Sequence, residues 1–261
     1  MKSILKTAVA TALIMLSGAC VASAQQVKVG MAPEPYPPFA SVDASGKWVG
    51  WEIEFLDAVC AEAKLDCVIT PTAWDGIIPA LTTKKIDVIW NSMSITDERK
   101  KTIDFSDKYY NTPTAIIGPK DKKFGSSPED IKGKIIGVQV STTHSAYAKK
   151  HFAEAAEIKE YATQDEANQD LAAGRLDAVQ ADSIALDAFL KSDQGKACCD
   201  LKGMVAEDLE ILGPGVGAGI RKEDTALKDK INAAIKAVRA NGKYGEISKK
   251  YFDFDIYGAE M

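Results

Sequence analysis

The sequence predicts an α/β protein of two lobes, each with a sheet covered by helices. From Val27 onward, short β-rich apolar runs alternate with amphipathic helical patterns, and this alternation is typical of parallel sheets wrapped by helices. A second observation is that the order strand, helix, helix, strand occurs twice, once before residue 91 and once before residue 181. We expect residues 25–112 and 213–261 in the first lobe and 113–212 in the second.

The individual elements follow from the hydrophobic period and from the residues that bound each run. Polar segment 111–114 and glycine-rich segment 212–216 lie between the lobes, and we predict a two-segment hinge there. Strands are expected at 27–31, 67–70, 86–90, 134–139, 157–160 and 177–180, and helices at 53–64, 76–83, 145–152, 164–173, 184–191, 222–240 and 244–251.

Residues 1–24 have the pattern of a secretory signal peptide. Lys2 and Lys6 precede an apolar run, and Ala22-Ser23-Ala24 is a small-residue cleavage site. The alternative is a lipid anchor at Cys20, whose spacing from Leu16 is one residue too long. We expect export to the periplasm.

Removing residues 1–24 leaves 30 basic and 37 acidic residues, so the net charge changes from −5 to −7. An acidic surface argues against nucleic acid or an anionic membrane as a partner. No later stretch approaches the ~18 consecutive apolar residues of a membrane span.

The four cysteines that remain lie in two parts of the chain. Cys60 and Cys67 flank a bend between a helix and a strand, and export favours a disulfide between them. Cys198 and Cys199 are adjacent and could be oxidised together, free, or paired between molecules. The cysteine spacing lacks paired CxxC knuckles and neither histidine has a companion, so we expect no metal and no organic cofactor.

Segment 91–99 follows a predicted buried strand and combines hydroxyl groups with a helix start. Thr96 is placed to cap the helix, where free N–H groups attract an anion. Arg99 at the end of that turn can form two parallel hydrogen bonds to a carboxylate. The alternative is a solvated arginine on a short surface helix.

Loops that follow other strands carry further candidates, because open α/β sheets bind ligands at the carboxyl ends of their strands. Tyr36 lies among prolines and Trp74 at a helix start; each could form an aromatic wall or pack in the core. Thr143 could meet an anion from the second lobe, or Thr142 and Thr143 could serve as caps. Asp182 could face an ammonium group or cap the next helix.

Taken together, these motifs resemble the periplasmic polar-amino-acid-binding proteins of ABC importers, the group that contains the lysine/arginine/ornithine, histidine and glutamine binders. The resemblance covers nearly all of residues 27–257 and implies a periplasmic binding protein type II-like fold with the ligand cleft between the lobes. It is carried by Tyr36-Pro37-Pro38-Phe39, Trp74-Asp75-Gly76-Ile77-Ile78-Pro79-Ala80-Leu81, Ser94-Ile95-Thr96-Asp97-Glu98-Arg99, Ile103-Asp104-Phe105-Ser106-Asp107, Ala172-Ala173-Gly174-Arg175-Leu176-Asp177-Ala178 and Lys249-Lys250-Tyr251-Phe252.

The resemblance also implies a role for each candidate. The substrate carboxylate would be held by Arg99 and by the backbone N–H groups of Ser94 and Thr143. Its ammonium group would be held by Asp182 and Ser92. Its side chain would lie between the rings of Tyr36 and Trp74. The Cys60–Cys67 spacing matches a disulfide of the basic-amino-acid and histidine binders.

Several positions depart from the group's pattern. Pro33 stands where the basic-amino-acid binders carry an aspartate for the distal cation of the substrate, and neighbouring Glu34 could substitute for it if it points into the cleft. Asn91 replaces a serine and is a further candidate ligand residue. Val140 replaces a polar residue, and Ser141 stands where glycine is usual.

We therefore expect a monomeric receptor, not an enzyme, that closes on a polar or basic L-amino acid and delivers it to an inner-membrane ABC permease. An opine is an alternative ligand. A cyclohexadienyl dehydratase-like enzyme on the same scaffold is a less favoured alternative, since that activity prefers a cleft without an amine-binding aspartate such as Asp182.

Overall fold

The structure is a computed structural model that describes residues 25–258. The predicted signal peptide and the alternative anchor at Cys20 lie outside the described residues. Within the described part, no helix is both long and apolar enough to cross a membrane.

The elements are numbered here in chain order. The strands are β1 Gln25–Met31, β2 Ser41–Val42, β3 Trp48–Val49, β4 Leu65–Pro71, β5 Val88–Ile89, β6 Asp104–Phe105, β7 Thr114–Pro119, β8 Ile135–Gln139, β9 Glu157–Tyr161, β10 Ala178–Asp182, β11 Cys199–Met204 and β12 Gly219–Ile220. The helices are α1 Trp51–Ala63, α2 Ile77–Thr82, α3 Asp97–Lys100, α4 Thr143–His151, α5 Gln164–Ala172, α6 Ser183–Lys191, α7 Asp193–Cys198, α8 Leu209–Leu212, α9 Thr225–Ala240 and α10 Lys243–Ser248; the turn Trp74–Gly76 is a 3₁₀ helix.

Every strand and helix predicted above overlaps an observed element. The strand predicted at 86–90 is much shorter in the structure, where only Val88–Ile89 is paired as a strand. Its apolar run is longer than the strand because Ile86 and Trp90 are buried on either side of it. An apolar run predicts that its residues are buried, but buried residues need not be hydrogen-bonded to a neighbouring strand.

Two five-stranded sheets form the centres of the molecule. The first has the order β4-β1-β5-β12-β6, with β4, β1 and β5 parallel. The second has the order β11-β7-β10-β8-β9, with β10, β8 and β9 parallel. Both sheets therefore carry βα connections whose carboxyl ends can supply ligand-binding loops, as the alternation predicts.

The core of the first sheet contains residues from both ends of the chain. Val27 and Val29 of β1 share one cluster with Trp51 of α1, Ile231 of α9 and Phe252 beyond α10. The two C-terminal helices therefore pack on the sheet that the N-terminal strand begins.

The chain passes between the sheets twice, after β6 and again after β11. The two passages are hydrogen-bonded to each other: Val216 N donates to Tyr110 O and Tyr109 N donates to Val216 O, both at 2.9 Å. Gly215 has φ of 145°, and a Cβ there would lie 2.7 Å from the Tyr110 carbonyl oxygen. Glycine is needed at this position because the two passages approach so closely.

Both cysteine pairs form disulfides. Cys60 and Cys67 join α1 to β4 across a Cα–Cα distance of 6.2 Å, which confirms the predicted pairing. The adjacent Cys198 and Cys199 are also bonded to each other, at the junction of α7 and β11. Sequence reasoning left that second pair open.

Candidate ligand-binding site

A cleft between the two sheets is lined by loops that follow strands of both. It contains two cavities, which share the side chains of Tyr36, Ser92, Ser94, Thr143 and His144. We call one the arginine cavity, of about 60 Å³, which also includes Arg99, Trp74, Glu34, Glu52, Asn91, Gln139 and Gln164. We call the other the aspartate cavity, of about 240 Å³, which also includes Asp182, Tyr110, Thr112, Thr114, Glu207 and Leu209.

Arg99 points into the cleft and is not a solvated surface arginine. Thr96 caps α3 as predicted, its side chain accepting from Arg99 N at 3.2 Å. The guanidinium donates from Nη1 to Ser94 O at 2.8 Å and from Nη2 to Ser141 O at 3.2 Å. Desolvation lowers the pKa of Arg99 to about 10, so it stays charged at neutral pH. Of five N–H donors, three remain for an anion.

The wall opposite Arg99 is the start of α4. Thr142 is the cap, since its side chain accepts from Ser145 N at 3.0 Å. Thr143 is the first helical residue, and its Oγ1 lies 3.4 Å from Ser94 Oγ across the cleft. The first N–H groups of a helix have no acceptor within the helix, so α4 presents donors to the cleft that holds Arg99.

The two candidate aromatic residues both line the arginine cavity and are half-buried. Trp74 bridges the lobes by donating from Nε1 to Val140 O at 3.1 Å. Its ring also lies under the Arg99 guanidinium, with 5.4 Å from Cζ to the centroid. Tyr36 stacks on Phe39 with ring centroids 5.8 Å apart, and burial raises its pKa well above the usual value, so the phenol is neutral.

Asp182 caps the helix that follows it and also borders the cleft. Its Oδ1 caps α6 by accepting from Ile184 N at 2.8 Å and Ala185 N at 3.2 Å. Its Oδ2 accepts from Thr112 and borders the aspartate cavity. Burial raises the pKa of Asp182 to about 6, against the opposing effect of these hydrogen bonds.

Glu52 is a cleft residue that the sequence reasoning missed. It lies in α1, is 1% exposed, and accepts hydrogen bonds from Ser92 N at 2.9 Å, Ser92 Oγ at 2.8 Å and Tyr109 OH. Burial raises its pKa. These bonds hold Ser92 at φ 51°, a left-handed conformation that serine rarely adopts. The available signal was a glutamate directly between Trp51 and Ile53 in an apolar helix segment.

His144 is not among the predicted ligand residues, yet it borders both cavities. Its Nδ1 lies 3.1 Å from Thr114 Oγ1. Desolvation, together with the nearby Arg99 charge, lowers its pKa to about 4, so the ring is neutral at physiological pH. Asn91 joins the ends of β1 and β5, its Oδ1 accepting from Ala32 N at 2.9 Å.

The structure brings all eight predicted ligand residues to this one cleft. Seven border the arginine cavity and Asp182 borders the aspartate cavity. Pro33 is exposed and lines neither cavity, whereas neighbouring Glu34 borders the arginine cavity. The guanidinium of Arg99 and the first N–H groups of α4 thus face one part of the cleft. The buried carboxylate of Asp182 borders the adjoining part.

Comparison with known proteins agrees with this arrangement. Residues 27–254 match the family described as bacterial extracellular solute-binding proteins, family 3. The chain is 44% identical over 252 residues to the L-arginine-binding protein of Pseudomonas aeruginosa, covering 96% of each chain. It is 36% identical over 261 residues to the histidine-binding periplasmic protein of Escherichia coli, covering 98% of this chain and 99% of the relative.

Solved structures give the same result. An ancestral arginine-binding protein bound to arginine superposes with a TM-score of 0.81 at 35% identity, covering 88% of this chain and 99% of that one. The two-lobed type II-like fold expected from the resemblance is therefore confirmed. The chain belongs to the bacterial extracellular solute-binding proteins, family 3.

Proposed function

We propose that this protein is the periplasmic solute-binding component of an ABC amino-acid importer and that it binds one polar or basic L-amino acid. One observation carries the proposal. A guanidinium with unused N–H donors and a buried carboxylate lie in adjoining parts of one cleft, which complements the opposite charges of an amino-acid head group. The names of the arginine- and histidine-binding relatives support the same ligand class.

In the proposed complex, Arg99 and the N–H groups of Ser94 and Thr143 hold the α-carboxylate. Asp182 and the hydroxyl of Ser92 accept the α-ammonium group. The ligand side chain lies in the arginine cavity between Tyr36 and Trp74, and the Asn91 amide lies beside it. The family match and the shared cleft support these roles.

Binding is proposed to close the lobes about segments 111–114 and 212–216, with residues 25–112 and 213–261 forming one lobe and 113–212 the other. A ligand held by Arg99 on one side and Asp182 on the other contacts both lobes only when the cleft is closed. Because of that difference, the ligand favours the closed state, the type of closure seen in periplasmic binding proteins as a class.

The remaining steps of transport complete the proposal. Residues 1–24 direct export and are removed, with lipid attachment at Cys20 as the alternative. The monomeric receptor then diffuses to an inner-membrane ABC permease and releases its ligand there. The proposed cycle includes neither a metal nor an organic cofactor.

The direct test is isothermal titration of the ligand-stripped mature protein with individual L-amino acids. One polar or basic amino acid should bind, and Arg99→Ala should weaken it by roughly tenfold to a hundredfold or more, because a charge-assisted hydrogen bond is lost. Arg175→Ala is the matched control, since Arg175 pairs with Asp170 at an exposed site. Unchanged affinity in Arg99→Ala would contradict the assignment.

An opine receptor is the second candidate. The aspartate cavity of about 240 Å³ extends beyond Asp182 and could accept a substituent on the α-nitrogen. If no common amino acid gives heat, opines should be titrated next. Incubation with prephenate, followed by detection of an aromatic product, then tests the dehydratase alternative.

A further inference from the structure

Ser92 borders both cavities, and one carboxylate accepts from both of its hydrogen-bond donors. Its backbone N–H donates to Glu52 Oε1 at 2.9 Å, and its hydroxyl donates to Glu52 Oε2 at 2.8 Å. A serine hydroxyl has one proton and two lone pairs. Because the proton is directed to Glu52, a ligand meets the Ser92 side chain only as a hydrogen-bond acceptor.

Glu52 sets the direction of these hydrogen bonds. The residue is 1% exposed, and its Oε1 also accepts from the hydroxyl of Tyr109. Three donors therefore converge on two oxygens, and each hydrogen bond favours the ionised form and opposes the rise in pKa that burial causes. An ionised carboxylate has no proton to donate, so it can only accept from the hydroxyl of Ser92.

The acceptor of Ser92 borders the part of the cleft that contains the second carboxylate. Ser92, Asp182 and Tyr110 all border the aspartate cavity. Burial raises the pKa of Tyr110 well above its usual value, so its phenol keeps the proton, and it interacts with Ser92. Tyr110 can donate to one lone pair of the serine oxygen, which leaves the second lone pair for a ligand. The acceptors of Ser92 and Asp182 complement the N–H donors of an ammonium group.

We propose that Glu52 is a positioning residue for ligand recognition: by accepting the hydroxyl proton of Ser92, it makes that side chain select an α-ammonium group over an α-hydroxyl group. The inference rests on the proposed function and adds to it a residue that acts through Ser92. The same two hydrogen bonds hold Ser92 at its left-handed φ of 51°. Glu52 therefore fixes both the place of the serine hydroxyl and the direction of its proton.

Glu52→Gln reverses this hydrogen bond with almost no change in the shape of the side chain. The backbone N–H of Ser92 can only donate, so the amide oxygen takes the position of Oε1 and the amide nitrogen takes that of Oε2. The amide then donates to the hydroxyl of Ser92. The serine proton turns towards the cleft, where it opposes the protons of an ammonium group.

The measurement is the ratio of affinities for L-arginine and for argininic acid, its 2-hydroxy analogue, by isothermal titration. Glu52→Gln should weaken arginine by roughly tenfold to a hundredfold, because the ammonium group loses a charge-assisted hydrogen bond. The hydroxyl of the analogue can accept from Ser92 instead of donating, so its affinity should change by about threefold or less. If another amino acid binds in place of arginine, that amino acid and its own 2-hydroxy analogue form the pair.

Three variants separate the direction of the hydrogen bond from stability. Ser92→Ala removes the oxygen that Glu52 directs, so adding Glu52→Gln to Ser92→Ala should have little further effect on arginine affinity. Tyr109→Phe removes another hydrogen bond of the same carboxylate, and should lower stability without changing the ratio. Glu62→Gln makes the same charge change at an exposed position of α1 and should change neither.

The outcomes are distinct. An unchanged ratio in Glu52→Gln, in a protein whose binding is weakened by Arg99→Ala, overturns this inference and leaves the proposed function standing. Equal effects of Glu52→Gln with and without the Ser92 hydroxyl overturn it as well.

If Glu52→Gln does not fold, Ser92→Ala alone provides the test. A ratio lowered by about tenfold or more supports the inference, and an unchanged ratio overturns it, because the hydroxyl that Glu52 directs would then have no part in selecting the ammonium group. A wild-type protein that binds no amino acid contradicts the proposed function, and this inference with it.

Discussion

Asp182 illustrates how one side chain can stabilise the fold and prepare a binding site. One oxygen caps α6 through Ile184 and Ala185, which fixes the carboxylate in place. The other meets Thr112 at the edge of the aspartate cavity. Since burial raises the pKa of the group to about 6, its ionised form is poised to gain from an ammonium partner.

Ligand affinity is expected to fall as the pH drops through about 6. An ammonium group stabilises the ionised form of Asp182, so its pKa is lower in the complex than in the free protein. Below about pH 6 the free protein holds a proton that binding must displace, and Kd should rise by up to tenfold per pH unit. His144, with a pKa of about 4, stays neutral over this range.

Titrations between about pH 5 and pH 8 measure this dependence. Asp182→Asn serves as the control, because it should bind weakly and lose the dependence. A Kd that is the same at pH 5 and pH 7.5 in the wild-type protein would show that Asp182 does not hold the ammonium group.

Glu52 should matter for stability as well as for the shape of the cleft. Replacing it with alanine leaves donors of Ser92 and Tyr109 unpaired at a buried site. We expect a loss of about 3 kcal/mol in the free energy of unfolding, measured with urea. Glu54→Ala, two residues further along α1, removes partly exposed contacts with Lys250 and Tyr251 and should cost only about 1 kcal/mol. Equal losses would contradict this account.

At the scale of elements, the hydrophobic period predicted the long segments best. The capping residues predicted helix starts well, because a cap and its partner are close in the sequence. Thr96 caps α3 as expected, because a cap depends on residues three apart. The prediction made β5 too long, because Trp90 is buried by packing against residues that are distant in the sequence. Glu52 was missed for a related reason: its partner Ser92 is 40 residues away, and no local pattern reports that contact.

The cleft was more predictable than these contacts. Each candidate follows a strand or, like Asp182, ends one, and parallel topology brings the carboxyl ends of strands to one edge. The sequence could not show which side chains point into the cleft. Glu34 and Pro33 are neighbours, and only the structure distinguishes the one that borders the cavity from the one that is exposed.

The disulfide between α1 and β4 is expected to stabilise the first sheet. Cys60 and Cys67 are seven residues apart, and closing a loop of that size in the unfolded chain corresponds to about 2.5 kcal/mol in the chain-entropy account. Cys60→Ala combined with Cys67→Ala should lower the free energy of unfolding by roughly that amount in a urea titration without reductant. An unchanged midpoint would mean that the covalent link contributes little.

At the scale of the whole molecule, the two walls of the cleft already contact each other. Trp74 donates to Val140, and Arg99 donates to Ser141, each across the cleft. Within residues 25–258 the chain passes between the sheets twice, and the two passages pair with each other at Val216. A ligand between the walls therefore adds contacts to both sheets, from the Trp74 side of the cleft to the connecting passages beside Asp182.

Saturation with ligand should raise the thermal midpoint and compact the protein. At a hundred times Kd, linkage adds about 2.7 kcal/mol, which corresponds to a rise of roughly 5–10 °C for a chain of this length. Small-angle scattering should show a smaller radius of gyration with ligand than without it. A thermal shift without any change in radius would contradict closure but not binding.

The shared core of Val27 and Phe252 also has a consequence for the order in which the two sheets can fold as the chain emerges from N-terminus to C-terminus. These residues are neighbours in one cluster although they belong to opposite ends of the chain. The second sheet uses only the middle of the sequence, so it can form as soon as that segment is available. If the chain emerges N-terminus first, the sheet whose first strand emerges earliest is thus the one completed last, after residue 252 has emerged.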